Sequence, residues 1–291
     1  MKYAFFPGCV LEGAAKENYL ATTAVAKALG IELLEIPGWT CCGASHVQDV
    51  DDLAATAINA RNIALAEQLG LPLLTVCNTC TLMLRKAKAQ LDHGQKETVN
   101  NLLAAAGLTY QGTSAITHLL WVLLNDYGLD RLQRLVKRPL TGLKVAGYYG
   151  CHILRPPAVM DFEDHANPQS LENLIRSLGA LPVDYDARLK CCGFHATYTA
   201  SEDLIRITGE TNHSAVKAGA DCIVTPCPLC QMSLDMNQPE GRTAVGCQQE
   251  MPVLHLAQLV GLALGLGPQA LGLNMHIAGR EIIKEKLALK S

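Results

Sequence analysis

The chain has 291 residues, a net charge of −3, 49% hydrophobic and 18% charged residues. That balance is too apolar for a disordered chain. The length suffices for one large domain or two ordinary ones with real cores, and no Lys/Arg block offers a footprint for nucleic acid.

The opening segment, "MKYAFFPGCV", is too short and too early broken by Pro7-Gly8 to read as a signal peptide. With no export signal, twelve cysteines point away from a disulfide framework and toward metal binding or redox chemistry in the cytoplasm. "KYAFFPGC" (2–9) reads as a strand running into glycine and cysteine. A helical stretch (15–30) follows, ending in a Gly suited to a helix C-cap. "LLEIPGWTCCG" (33–43) is a short strand entering a Cys-Cys-Gly triplet. A second helical stretch (50–70) leads to the apolar "LPLLTV", which feeds directly into "CNTC" (77–80). "AITHLLWVLL" (115–124) reads as an apolar helix carrying His118.

The same landmarks then recur in the same order. "KVAGYYGC" (144–151) matches the opening strand, and "LPVDYDARLKCCG" (181–193) matches the first Cys-Cys-Gly segment. "ADCIVTPCPLC" (220–230) and "PVLHLAQLVG" (252–261) complete the series, with His255 opposite His118. Helical stretches at 167–179 and 202–220 fill the intervals. The chain is therefore a tandem duplication, with halves at 1–137 and 143–291 joined near "KRPLTG". Strands alternating with helices predict a Rossmann-like α/β fold in each half, with parallel sheets covered on both faces. The cysteine motifs fall just past strand ends, where such sheets place their ligands.

The last long apolar run, Met251 to Gly279, contains no formally charged residue but is interrupted by Pro268 and five glycines. It predicts a buried or amphipathic helix at 253–264 followed by an apolar loop, with membrane contact as the alternative.

Five cysteines stand in each half: Cys9, Cys41, Cys42, Cys77 and Cys80, then Cys151, Cys191, Cys192, Cys227 and Cys230. Both sets have the form C-x(n)-C-C-x(34)-C-x-x-C, with n of 31 and then 39. A structural zinc ion takes four ligands and would leave a fifth thiol idle twice. A thioredoxin-like dithiol accounts for Cys-x-x-Cys but not for the adjacent pairs. Five converging thiolates suit iron and inorganic sulfide, where several irons share the ligands. The glycine after each pair permits positive φ and a close backbone approach. Cys222, inside a strand, reads as an ordinary buried cysteine, and Cys247 as an incidental surface or loop cysteine.

This doubled Cys-Cys-Gly signature resembles the B-type subunits of heterodisulfide reductase and their relatives, over nearly the whole chain. The resemblance implies a noncubane [4Fe-4S] cluster on each five-cysteine set, and thiol–disulfide chemistry on a small substrate. It also implies partners: a ferredoxin-like iron–sulfur subunit of the C type and a flavin-bearing subunit of the A type. Related subunits occur in sulfur-oxidising complexes, and as the E-type electron-transfer subunit of succinate or fumarate dehydrogenase complexes. There, dehydrogenase subunits are the partners and contact is peripheral to the inner face of the membrane. His46, His152 and His195 lie near the cysteines in sequence and are candidates to supply protons to product thiolates. The plainer reading has each imidazole hydrogen-bonding a sulfur or a carbonyl. His118 and His255 read as core histidines, and Trp39 either walls off a cluster or packs in the core.

Overall fold

The computed structural model describes residues 1–44 and 46–287. It is an α/β structure built on two four-stranded sheets, both parallel throughout. In the first half the strands are β1 (Lys2–Phe6), β2 (Glu32–Glu35), β3 (Leu73–Thr75) and β4 (Ile116–His118), in the order β2-β1-β3-β4. In the second they are β5 (Lys144–Gly147), β6 (Leu181–Val183), β7 (Cys222–Thr225) and β8 (Val253–His255), in the order β6-β5-β7-β8. The duplication is thus a duplication of topology. In each sheet the chain leaves the first strand toward one edge and returns to build the other. The crevice at this switch is where an open α/β sheet leaves room for a ligand. Cys9 and Cys77 follow the two strands that flank it in the first half, and Cys151 and Cys227 do so in the second.

Helices cover the sheets much as the apolar periodicity indicates. Lys16–Leu29 ends at Gly30, whose φ of 68° lets its N–H reach the carbonyls of Ala26 and Lys27. Asp52–Gln68 begins at Asp51, whose carboxylate accepts from the N–H of Ala54 at 2.9 Å, as a good N-cap does. Helices Asn78–Gln90 and Pro228–Met236 start one residue past Cys77 and Cys227, which places the second cysteine of each Cys-x-x-Cys in the first helical turn.

The fourth strand of each sheet departs from expectation, since the apolar pattern predicts helix throughout 115–124 and 253–264. A three-residue strand at each place, Ile116–His118 and Val253–His255, precedes the helix. Three residues are too few to show the two-residue alternation of a strand. The rest of the uncharged run is core. Every residue of helix Leu256–Ala263 is buried, and Leu271, Leu273 and Ala278 are buried in the segment beyond it. Among the described residues no helix is long and apolar enough to cross a membrane.

The two sheets do not hang as separate beads. Two hydrophobic clusters each draw on both halves, and the larger runs from Ala21, Val25 and Leu29 to Leu256, Leu259 and Val260 on one side. On the other it joins Leu119–Leu123 to Leu171, Leu174 and Ile175. Each fully buried Leu or Val in that seam stabilises by about 1.5–3 kcal/mol relative to exposure, so separating the halves would expose much of the core.

Candidate metal centre

Ten cysteines gather where the carboxyl ends of the two sheets face each other, and their sulfurs follow one another in a row. Cys9 and Cys41 stand 3.3 Å apart at Sγ, and Cys42 and Cys80 stand 3.6 Å apart. Cys41 lies within interaction range of Cys42, and Cys80 of Cys77, which joins these five. In the second half the same links join Cys151 to Cys191, Cys191 to Cys192, Cys192 to Cys230 and Cys230 to Cys227. Cys77 Sγ then meets Cys227 Sγ across the halves at 3.9 Å. The middle of the row is buried: Cys42, Cys77, Cys80, Cys192, Cys227 and Cys230. Cys9, Cys41 and Cys191 are exposed, and Cys151 is half-buried.

The backbone is shaped around these sulfurs. Gly43 and Gly193, the glycines of the two triplets, have φ of 68° and 75°, and each turns its N–H onto the first sulfur of its pair, at 3.5 and 3.4 Å. Gly150, at φ +69°, leaves no room for a side chain, since a Cβ there would sit 2.9 Å from Cys230 Sγ. The thiol of Cys41 is held well below its ordinary range by hydrogen bonding with Cys42 and Cys9 and by the Gly43 N–H. Cys191 is lowered in the same way by Cys151, Cys192 and Gly193, with His152 nearby. Each Cys-Cys pair therefore presents one sulfur primed as thiolate, the form that binds metal.

Among the described residues no three His, Cys, Asp or Glu form a ready cage for one metal ion. The donor set instead suits a group carrying several irons: five soft sulfur donors in each half against a backbone trimmed to glycine. All twelve cysteines are free thiols. Cys222 lies fully buried within β7, as its strand position implies. Cys247 sits in a loop as expected but is buried rather than superficial, because Arg242 folds over that loop onto the Cys247 and Gln248 carbonyls.

The candidate histidines meet at one place. His152 and His195 have ring centroids 5.5 Å apart, and His46 lies 6.2 Å from the exposed Tyr198 ring. Burial, with His152 and His46 nearby, lowers the pKa of His195. Thr79 Oγ1 hydrogen-bonds His152 Nδ1 at 2.9 Å, joining the Cys-x-x-Cys of one half to the residue after Cys151 in the other. Trp39 packs and also lines a cleft. Its ring packs edge-on to Phe6 at 5.3 Å, and it lines a cleft of about 480 Å³ beside Cys41.

His118 and His255 are core residues, as expected, but each caps a helix from a strand end. His118 Nδ1 accepts from Leu120 N–H at 3.0 Å, and its Nε2–H reaches the Pro226 carbonyl of the other half at 3.1 Å. His255 does the reverse, capping Ala257 at 3.3 Å and reaching the Val76 carbonyl at 3.2 Å. Burial pushes their pKa values down to about 3 and about 4, and burial likewise takes His276 to about 4. These three imidazoles stay neutral in the folded chain at pH values where the unfolded chain protonates them, near 6.5. The unfolded state then binds more protons, so acid favours it from pH 6.5 down to about 4. At pH 5 each histidine is expected to remove about 2 kcal/mol of stability, read as a lower urea midpoint than at pH 7.5. A His276→Gln variant should show a shallower decline; an equal slope would mean that His276 titrates freely when folded.

Several supporting residues escape a reading of motifs. Asn59 donates to the Cys42 carbonyl at 2.9 Å, and Asn62 accepts from and donates to the Thr40 backbone. In the second half Ser233 holds the Cys192 carbonyl and Tyr148 the Lys190 carbonyl. Two asparagines within "AINARN" (57–62), three residues apart on one helical face, are the available signal.

Known proteins frame this geometry. Residues 3–85 and 145–235 match the family described as the CCG cysteine-rich domain, and those two spans contain all ten cysteines of the row. The chain is 51% identical over 276 residues to the 8-methylmenaquinol:fumarate reductase membrane anchor subunit of Wolinella succinogenes, covering 95% of this chain and 96% of that one. It is 33% identical over 280 residues to the B-type subunit of the ferredoxin:CoB-CoM heterodisulfide reductase of Methanosarcina mazei, covering 94% and 93%. The crystal structure of a hypothetical protein from Helicobacter pylori superposes with a TM-score of 0.76 at 15% identity. That match covers 95% of this chain but only 51% of the other, and bears on the fold alone.

Proposed function

Since the chain belongs to the family of duplicated CCG cysteine-rich proteins that includes the heterodisulfide reductase subunits of the B type, we propose that it is an iron–sulfur electron-transfer subunit of a membrane-associated reductase complex. Its two halves, 1–137 and 143–291, each hold one noncubane [4Fe-4S] cluster. The ligands are Cys9, Cys41, Cys42, Cys77 and Cys80 in one half and Cys151, Cys191, Cys192, Cys227 and Cys230 in the other. Such a cluster gives and takes one electron at a time. The observation that carries this reading is the row of ten sulfurs, buried through the middle and reaching the surface toward each end, at Cys9 and Cys41 and at Cys191. The exposed thiols give partner subunits a place to exchange electrons, and the buried ones keep solvent from the stretch between. The 51% identity to a fumarate reductase anchor subunit favours dehydrogenase-type partners and peripheral contact with the membrane.

A second reading, thiol–disulfide chemistry on a small heterodisulfide, is favoured by one feature. His46, His152 and His195 stand together beside the thiols, where a disulfide accepting two electrons also needs protons. His152, fixed by Thr79, is the best placed of them to hold a proton near the exposed end of Cys191.

Anaerobic purification tests the first proposal. About eight irons per chain are expected, as two four-iron clusters, with matching acid-labile sulfide. A colourless chain containing only zinc would overturn it. Reduction of a small mixed disulfide by the iron-loaded, chemically reduced chain would favour the second reading over a pure relay.

A further inference from the structure

The two thiol sets touch only where Cys77 Sγ meets Cys227 Sγ, at 3.9 Å, among the sulfur contacts of the described residues. Both residues are buried, and the position of each is set from the opposite half. The carbonyl of Val76, one residue before Cys77, accepts from His255 Nε2. The carbonyl of Pro226, one residue before Cys227, accepts from His118 Nε2. The imidazoles are themselves fixed, because each Nδ1 accepts an N–H from the first turn of the helix that its own strand leads into. Each half thus holds the other's cysteine through a strand end, a ring and a carbonyl, with little rotational freedom in any of them.

Resting on the cluster reading above, we propose that electron exchange between the halves crosses at the Cys77–Cys227 sulfur pair, and that His118 and His255 are positioning residues that keep the pair in contact. In the step, one half is oxidised by one electron as the other is reduced by one. No bond is made or broken and no proton moves. The sulfurs serve because thiolate is soft and polarisable and because no side chain separates them. Neither histidine hydrogen-bonds a sulfur of the row; each holds the carbonyl of the residue before a cysteine.

Low-temperature electron paramagnetic resonance on the anaerobically purified chain, poised so that both clusters are paramagnetic, reads this contact as a splitting of each signal by the other. Wild type is expected to show the splitting. His118→Leu and His255→Leu, which remove the N–H to the carbonyl, are expected to lose it while keeping wild-type iron. His118→Gln and His255→Gln, which retain a side-chain N–H, are expected to restore it. A merely structural role would lower the melting temperature of the leucine variants and leave the splitting alone, and that result overturns the proposal. The two leucine substitutions are made singly, and either one that folds with full iron decides the matter; if neither folds, the glutamine variants decide, since unsplit signals in them at full iron also overturn it. Iron at both sites of wild type with unsplit signals overturns this inference and leaves the cluster reading standing, whereas absence of iron overturns both.

Discussion

Replacing Cys192 with alanine is expected to halve the iron of the chain, from about eight to about four atoms, without unfolding it. Cys192 lies between Cys191 and Cys230 in the row, so its loss removes the link that joins Cys151 and the primed, exposed Cys191 to the buried sulfurs. The substitution itself is small. Cutting one sulfur from a buried site costs on the order of 1 kcal/mol in lost contacts and cavity, within the margin of an ordinary domain. The backbone of the triplet also keeps its anchor, because Ser233 holds the Cys192 carbonyl and not its side chain. Cys222→Ala is the paired control. Its thiol is equally buried but lies inside β7, so it should lose a similar amount of stability and no iron. Iron loss from the Cys222 variant, or full iron in the Cys192 variant, would show that the ligand sets are drawn wrongly.

Glu172→Ala is expected to destabilise the second half strongly. The Glu172 carboxylate accepts from Tyr149 Oη at 2.6 Å and pairs with the Arg188 guanidinium at 2.9 Å, with both charged side chains nearly buried. Arg188 donates as well to the Pro168 carbonyl, while its own carbonyl accepts the N–H of Tyr149. Through this knot one carboxylate braces the loop to Gly150-Cys151 and the loop to Cys191. Removing it takes away the close partner of a largely buried guanidinium and leaves only the exposed Asp184 carboxylate at 4.0 Å, a loss of about 3 kcal/mol. Thermal melting should show the deficit, and iron should fall in the second half only. Replacing both Glu172 and Arg188 by methionine removes the unpaired charge and should recover part of the stability but less of the iron, since the hydrogen bonds to the loops are gone. If the single variant melts like wild type, the pair is solvated and braces nothing.

What the sequence discloses is set by the range of each interaction. The ten cysteines, the duplication and the alternation of strands with helices are local patterns repeated once, and they are legible. Strands β4 and β8 are not, because three residues within an apolar run give no period of their own. His118 and His255 read as helical for the same reason, although each is the residue at which a strand becomes a helix. The meeting of Cys77 with Cys227, 150 positions apart, leaves no trace in spacing. Nor does the knot of Glu172, Tyr149 and Arg188, which looks in sequence like an ordinary helix carboxylate and an ordinary loop arginine. Cys247 misleads because a loop position says little about burial when an arginine folds over it.

The reciprocity of the two imidazole bonds has a consequence for symmetry. His118 bonds the residue before Cys227 and His255 bonds the residue before Cys77. A contact in which i meets j while j meets i is the mark of an isologous interface, the kind that closes a C2 homodimer. The two halves meet as two such protomers would, with one cysteine contributed by each. The halves nonetheless differ, since the imidazoles at 152 and 195 correspond in sequence to Val10 and Ser45 in the first half. A symmetric pair of protomers can offer a ligand only two identical walls; one continuous chain can make them different.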